Sequence, residues 1–232
     1  MRYREWAPHP ALSSWIECFW SAVDADAEAG ARENVLPDGC PEWIFHLESP
    51  YRSLGPEGIA AQPASFLVGT TTGLLALEAT GPVSTFGVRF RPGGVSVFLP
   101  LPLSELTDSA VSSEDLWNGD GRRVEGEVME APDAGSRREA IERFLLARAK
   151  PDRPSRRGVD AAVALILGGR GAVAIADVAG RIGKSRRQLE RAFSEGVGVS
   201  PKTLSRLARF QNVLRRAGRG APRWAELAAS CG

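Results

Sequence analysis

The sequence predicts an α+β fold, in which a β-rich N-terminal domain with flanking helices precedes an all-helical C-terminal domain. Three observations lead to this prediction. Short strand-like runs with turn signals between them fill the first hundred residues, the apolar period becomes helical from Ser104 onward, and the charge changes sign between the two halves. No apolar run approaches the ~20 residues that would be needed to cross a bilayer.

Three runs carry aromatic and β-branched residues in strand-like patterns: residues 16–23, 40–47 and 85–91. In the last run the apolar residues Phe86, Val88 and Phe90 share one face. Arg89 and Arg91 share the opposite face. We therefore expect a small β-barrel or sandwich in this half of the chain.

Helices are expected after this β-rich part, two short ones at 112–115 and 122–130 and a longer one at 136–149. Residues 150–157 then hold two prolines among charged residues, a composition typical of linkers. We place the linker at residues 151–157. It separates a domain of residues 1–150 from a domain of residues 158–232.

The charge of the two domains differs in sign. Residues 151–232 hold 16 Arg or Lys against 6 Asp or Glu, a net charge of +10, whereas the first 150 residues carry a net charge of −9. A basic segment of this kind indicates either a phosphate-backbone binder or a solvated basic helical surface. Charge alone does not decide between them.

Cysteine and histidine usage argues against several function classes. Cys18, Cys40 and Cys231 are odd in number and scattered, which favours the reducing cytoplasm over a disulfide framework or a zinc site. His9 and His46 form no metal motif, and His46 is interpreted as structural. With no catalytic triad pattern or phosphate loop, we predict a protein that is not an enzyme and needs no cofactor or metal.

Residues 175–194 carry a motif that helps to decide whether the basic segment binds DNA or is only a solvated surface. Apolar residues at positions i, i+3, i+4 and i+7 predict a short helix, and Gly183 suits a tight turn after it. Ser185 can cap a second helix that buries Leu189, Ala192 and Phe193. This pattern is typical of a helix-turn-helix.

The exposed face of that second helix has the residue types that read DNA. We predict five DNA-binding residues: Ser185, Arg186, Arg187, Glu190 and Arg191. Arginine can bind guanine O6 and N7 with two hydrogen bonds, glutamate can accept from cytosine N4, and a helix N-terminus suits a phosphate. A protein-docking helical bundle with a basic face would give the same pattern.

The segment that follows favours DNA binding. Ser200-Pro201 starts a long helix to about Ala217, and residues 223–232 repeat the opening of the first motif. The layout resembles the AraC-type (AraC/XylS) family of transcription regulators. The resemblance rests on the string Ala179-x3-Gly183-x-Ser185-x3-Leu189-x-Arg191-x-Phe193, followed by Gly198-x-Ser200-Pro201.

This resemblance implies two helix-turn-helix units in successive major grooves, joined by the long helix. It places Arg187, Glu190 and Arg191 at base-reading positions of the first unit. The family pattern continues beyond a second short helix, so the second unit is incomplete at Gly232. We expect residues 1–232 to bind DNA weakly for this reason.

The N-terminal half is similar to an uncharacterised cupin-like domain that is often fused to AraC-type helices. The similar segments are residues 35–40, Val68-Gly69 and residues 86–94. This resemblance implies a sensing or dimerising domain and brings no known ligand.

Within this domain the best polar candidates for ligand binding are Asp38, Arg89 and Arg91. They are predicted either to contact an effector inside the barrel or, as we favour, to include a structural ion pair of Asp38 with Arg89. The aromatic strand faces are interpreted as core in preference to a ligand pocket. Cys18 and Cys40 are a weak candidate for a redox pair.

Taken together, these features predict a sequence-specific regulator of transcription that binds double-stranded DNA. Its N-terminal domain would sense a small-molecule effector or form a homodimer, and no membrane partner is expected. The alternative is a small-molecule-binding cupin-like protein whose vestigial helical tail no longer binds DNA.

Overall fold

The computed structural model describes residues 1–55, 58–150, 156 and 158–217, and it confirms the α+β class. Ten strands lie within these ranges: β1 (Arg2–Trp6), β2 (Ile16–Asp24), β3 (Arg32–Val35), β4 (Glu42–His46), β5 (Tyr51–Gly55), β6 (Gly58–Ala61), β7 (Ser65–Val68), β8 (Leu75–Ala79), β9 (Val83–Phe90) and β10 (Ala110–Ser112). Seven α-helices lie there as well: α1 (Ser113–Trp117), α2 (Gly119–Glu130), α3 (Ala134–Leu146), α4 (Val159–Gly168), α5 (Ile175–Arg181), α6 (Arg186–Gly196) and α7 (Pro201–Ala217).

The strands form two antiparallel sheets that make a sandwich. The larger sheet has the order β1-β2-β9-β4-β7-β10, and the smaller has the order β3-β8-β5-β6. In the larger sheet Glu42 of β4 lies opposite Arg89 of β9, and Cys18 of β2 lies opposite the same arginine. This register brings three predicted strands side by side at the centre of the sheet.

One face of the larger sheet packs against α2 and α3 and forms the main core. Apolar residues from the strands and these helices are buried together there, among them Trp43, Phe45, Phe86, Phe90, Val124, Ile141 and Phe144. The indole nitrogen of Trp43 donates to the hydroxyl of Ser113 at 2.8 Å, which satisfies the buried N–H. The aromatic residues Trp43, Phe45, Phe86 and Phe90 are therefore core, as predicted, and none of them lines the cavity between the sheets.

The opposite face of the larger sheet turns toward the smaller sheet. Because side chains alternate along a strand, Thr85 and Arg89 point away from the core that Phe86 and Val88 enter. Gly87 lies between them on this face. A side chain at Gly87 would approach the Trp20 ring to 2.4 Å, so only glycine leaves room for the indole.

Helices α4 to α7 enclose a second, separate apolar core. Val163, Val178, Leu189 and Phe193 are buried in it, together with Leu204 of α7. None of the described helices combines the length and the apolarity that a membrane crossing requires.

Hydrogen bonds join this helical unit to the sandwich. The hydroxyl of Thr107 donates to the Gly198 carbonyl at 2.6 Å, and that of Thr70 donates to the Val197 carbonyl at 3.2 Å. Gly198 has φ +90°, and a side chain there would come within 2.9 Å of the Leu103 carbonyl oxygen. The two units therefore meet closely at the residues that follow α6.

The predicted elements correspond to observed ones. Strands β2, β4 and β9 occupy the three runs singled out from the sequence, and α1, α2 and α3 occupy the three helical segments. The hydroxyl of Ser112 caps α1 by accepting from the Asp115 N–H at 3.0 Å. The 151–157 linker, Arg156 apart, and the predicted second helix-turn-helix start at 223–232 lie outside the described residues.

Candidate functional site

The turn between α5 and α6 has the predicted geometry. Gly183 has φ +64°, a left-handed conformation that glycine adopts without steric cost. Ser185 then caps α6, because its hydroxyl accepts from the Gln188 N–H at 3.3 Å. The Gln188 side chain in turn accepts from the Ser185 N–H at 2.8 Å. This capping box fixes where the second helix begins.

Helix α6 separates its residues into a buried and an exposed face. Leu189 and Phe193 are completely buried in the helical core. All five residues predicted to bind DNA are exposed: Ser185, Arg186, Arg187, Glu190 and Arg191. Within the described residues, the N-terminal half of α6 thus presents its predicted polar face to solvent and not to the sandwich.

The three arginines on this face differ in their partners. The guanidinium of Arg186 pairs with Glu190 at 3.0 Å, and that of Arg191 pairs with Glu195 at 2.9 Å. Exposed pairs one turn apart are each worth only about 0.3–0.5 kcal/mol, so an incoming anion can replace the carboxylate. Arg187 makes no hydrogen bond or ion pair with any described residue. Its side chain is free to bind an external group.

The sandwich holds a cavity of about 260 Å³ between its two sheets. Side chains of both sheets and of the loop after β3 line it, including Trp20, Glu42, His46, Tyr51, Leu77 and Arg89. Of the predicted ligand-binding residues, Asp38 and Arg89 line this cavity and Arg91 does not. Arg91 does not enter this cavity, but Asp38, Arg89 and Arg91 come together at a second one, the cleft between the sandwich and the helical unit.

Arg91 lies outside the cavity because β9 ends one residue before it. Its backbone N–H donates to the Trp15 carbonyl at 2.8 Å, and its guanidinium donates to the Ser13 carbonyl at 3.0 Å. The side chain lines a cleft between the sandwich and the helical unit. These hydrogen bonds to backbone carbonyls give Arg91 a structural role.

A cluster of charges closes one end of the cavity. The guanidinium of Arg89 pairs with Glu42 at 2.8 Å and with Asp38 at 3.7 Å. The carboxylate of Asp38 also accepts from the Cys40 N–H at 2.8 Å. The structural ion pair predicted for Asp38 and Arg89 is present, and Glu42 is its closer and unpredicted member.

Burial and neighbouring charges shift the pKa values of Glu42 and Arg89 in this cluster. Burial raises the pKa of Glu42 to about 7, although Arg89 beside it lowers that pKa. Burial would lower the pKa of Arg89, but Glu42 and Asp38 raise it above its ordinary value. Arg89 therefore stays charged, and Glu42 titrates near neutrality.

His46 lies further along the same cavity and is satisfied by two neighbours. One ring nitrogen lies 3.0 Å from the Gln62 side-chain oxygen, and the other lies 3.4 Å from the Thr85 hydroxyl. Burial lowers the pKa of His46, although the hydrogen bond to Gln62 opposes this shift. A neutral ring with both nitrogens engaged fits the structural role predicted for it.

The two cysteines among the described residues, Cys18 and Cys40, form no disulfide. Cys18 and Cys40 are free thiols, and burial raises the pKa of both, that of Cys18 to about 11. Such thiols are poor nucleophiles and poor metal ligands near neutral pH. No group of three or more His, Cys, Asp or Glu within the described ranges is arranged to hold a metal ion.

Residues 36–40, between β3 and β4, contact both the cavity and the helical unit. Leu36, Asp38 and Cys40 line the cavity. The Pro37 carbonyl accepts from the side-chain amide of Gln211 on α7 at 2.8 Å. Gly39 lies against Leu204 and Leu207 of the same helix. This loop is therefore a shared wall between the cavity and α7.

Comparisons with known proteins agree with this architecture. Residues 4–112 match a family described as a domain of unknown function, DUF6597. No curated protein matches the chain. The structure is similar to that of ToxT from Vibrio cholerae, with a TM-score of 0.51 and 10% identity over 92% of this chain and 89% of that chain.

Two further solved structures are less similar. ToxT from strain SCE256 bound to an unsaturated fatty acid gives a TM-score of 0.49 and 13% identity over 92% of this chain and 86% of that chain. The AraC-like transcriptional activator CuxR gives a TM-score of 0.36 and 13% identity over 96% and 83%. The first likeness shows a shared fold, in which a β-rich domain precedes a helical one.

Proposed function

We propose that this protein is a transcription regulator that reads duplex DNA with α6 and binds a small effector in the sandwich cavity. The observation that carries the proposal is the capped α6 with its arginine-bearing face in solvent. The sequence resemblance of α5 to α7 to AraC-type regulators supports the same function. Such a regulator would act in the cytoplasm.

The dimensions of α6 suit a major groove. Its eleven residues span ~16 Å, and the groove is ~12 Å wide, enough to admit one helix. Recognition helices contact bases with their N-terminal residues. Arg187 lies in the first turn of α6 and has no partner to release among the residues that the structure describes. We assign it the main base contact, with Arg186, Glu190 and Arg191 beside it and Ser185 toward a phosphate.

The sandwich supplies a place for an effector and a route to the helices. A molecule in the cavity would touch residues 36–40, and this loop also contacts α7. Because α7 packs in the same core as α6, a shift of the loop would change how α6 is held. A homodimer formed by the sandwich is a further proposal that oligomer measurements would test.

The test is the salt dependence of binding to a labelled duplex of random sequence. The variant Arg187→Ala/Arg191→Ala removes two exposed charges from α6. We expect it to bind at least tenfold more weakly than the wild type. The slope of log K against log salt concentration should become shallower by about 1 for each phosphate contact that is lost. Fluorescence anisotropy at several salt concentrations measures both quantities.

The matched control is Arg122→Ala/Arg143→Ala, which removes two arginines of α2 and α3 whose side chains are each 68% exposed. It changes the net charge by the same amount, so we expect its binding to stay within about twofold of the wild type. Equal weakening by both double variants would contradict a DNA-reading role for α6. That result would favour a ligand-binding protein whose helical tail does not read DNA.

A further inference from the structure

The cavity is sized for a small molecule. Its volume of about 260 Å³ corresponds to ~9 water molecules at about 30 Å³ each, which indicates a ligand of roughly ten non-hydrogen atoms. Most of its lining is apolar. Val35, Ile44, Val68 and Leu75 contribute aliphatic surface, and Tyr3, Trp20 and Tyr51 contribute aromatic rings.

The charged side chains of the lining are mostly acidic. Glu33, Asp38 and Glu42 bring three carboxyl groups to the cavity, and among the described lining side chains Arg89 alone brings a guanidinium. Arg89 is already bound by Glu42 at 2.8 Å and lies 3.7 Å from Asp38. Apart from the α-ammonium of Met1, which pairs with Asp24 at 3.3 Å, the described lining therefore holds fewer positive than acidic groups.

A ligand carboxylate would be a poor fit at this cluster. To reach Arg89 it would have to displace Glu42, and it would add a further negative charge next to two carboxyl groups that already share one cation. A protonated amine would instead lie between Asp38 and Glu42 and complete their charge balance. The aromatic rings of Tyr3 and Trp20 line the same cavity and would contact the apolar part of such a ligand.

We infer that the effector of this cavity is a small apolar amine, bound with its ammonium group at Asp38 and Glu42 and its apolar part between the two sheets. This inference rests on the effector role proposed above and names its chemical class.

The binding step has a defined proton balance. Near neutral pH part of the Glu42 population carries a proton, because burial raises its pKa to about 7. An ammonium group beside this carboxyl favours the carboxylate, so the proton leaves Glu42 and passes to the buffer. The ligand stays protonated throughout. Amine binding should therefore release protons, and binding of an uncharged analogue should release fewer.

The experiment compares three probes of one shape on the wild-type protein: phenylpropylamine, phenylpropanol and phenylpropanoate. Isothermal titration near pH 7 measures their affinities, and repeating it in buffers of different ionisation enthalpy measures the protons released. We expect the amine to bind at least tenfold more tightly than the carboxylate, with the alcohol between them. Because this comparison needs no variant, it does not depend on a variant folding.

Two conservative substitutions then locate the head group. In Asp38→Asn the amide oxygen can still accept from Cys40, and in Glu42→Gln the amide oxygen can still accept from Arg89, so each removes a charge and keeps a contact. We expect the double variant to lose at least tenfold in amine affinity. The control Glu105→Gln removes an exposed carboxylate that does not line the cavity and should leave amine affinity within twofold.

Tighter binding of the carboxylate, no binding of any of the three probes, or equal loss in the control would overturn the inference. The outcome is separable from that of the proposed function because no DNA is present. Amine binding without α6-dependent DNA binding would contradict the regulator alone. DNA binding without a preference for the amine would contradict this inference alone.

Discussion

The two regions of the molecule use arginine in opposite ways. In the sandwich, Arg89 is bound by two carboxylates and forms part of a cavity wall. On α6, Arg187 lies in solvent and has no partner among the described residues. The contrast shows that an arginine by itself does not indicate an anion-binding surface. The charges around the arginine decide whether it can bind an external anion. An arginine that is already neutralised belongs to the protein's own structure, whereas an unpaired one is available to a phosphate or a base.

The apolar residues also divide between the two regions. One core lies between the larger sheet and α2 and α3, and another lies among α4 to α7. Hydrogen bonds from Thr70 and Thr107 join them at the end of α6. Substitutions in one core should therefore affect one region before the other.

The largest effect is expected from Phe193→Ala, which empties a completely buried position of the helical core. We expect a loss of about 3–5 kcal/mol in unfolding free energy and a loss of DNA binding. Urea unfolding can be followed in each region separately. Five of the six tryptophans, Trp6, Trp15, Trp20, Trp43 and Trp117, belong to residues 1–150, so fluorescence reports mainly on that region. Helical circular dichroism reports on both regions, and more on α4 to α7, which are together longer than α1 to α3.

The control for this variant is Phe210→Ala on α7, where the aromatic ring is 37% exposed and the change should be within about 1 kcal/mol. The division into two cores predicts that Phe193→Ala moves the dichroism midpoint more than the fluorescence midpoint. Equal shifts in both signals would show that the two regions unfold as one unit.

Much of the division into a β-rich region and a helical region can be predicted from the sequence. Strands β2, β4 and β9 alternate clearly because one face of their sheet packs against α2 and α3, and the Ser185 cap can be recognised from local spacing alone. Strands β5 to β8 were not individually predicted. They are four or five residues long, and β6 is exposed at every position, so no apolar period marks it.

The charged end of the cavity could be predicted only in part. Glu42 was missed because its pairing with Arg89 depends on the register of β4 against β9, which no local pattern contains. Arg91 was misplaced because alternation was extended one residue past the end of β9. Long-range register and strand ends are set by tertiary packing, and they decide which side chains share a site.

A smaller change in unfolding free energy is expected from the titration of Glu42 in its cluster with Asp38 and Arg89. The pKa of Glu42 is raised from 4.5 to about 7 in the folded protein. Stability from this group is therefore fully present below about pH 4.5 and is lost as pH rises through 7. Between those limits the unfolding free energy of the wild type should fall by up to about 3 kcal/mol relative to that of Glu42→Gln, whose side chain cannot titrate.

Unfolding free energies of the two proteins from about pH 5 to about pH 8 measure this difference. The lowered pKa of His46 acts in the opposite direction, but it is present in both proteins and largely cancels. Glu105→Gln, at an exposed position, is the matched control and should follow the wild type. A constant difference between wild type and Glu42→Gln across the range would contradict the raised pKa.

The smallest effect on stability, and the most direct test of DNA reading, belongs to Arg187→Ala. Because Arg187 is exposed and makes no ion pair within the described part of the chain, its loss should change unfolding free energy by less than about 0.5 kcal/mol. Selection of preferred duplexes from a random library, by wild type and variant side by side, measures what the arginine reads. We expect the variant to lose the preference for one guanine, a change of about 1–3 kcal/mol or roughly 5- to 150-fold at that position, with other positions unchanged. Identical preferences for the two proteins at every position would contradict base reading by α6.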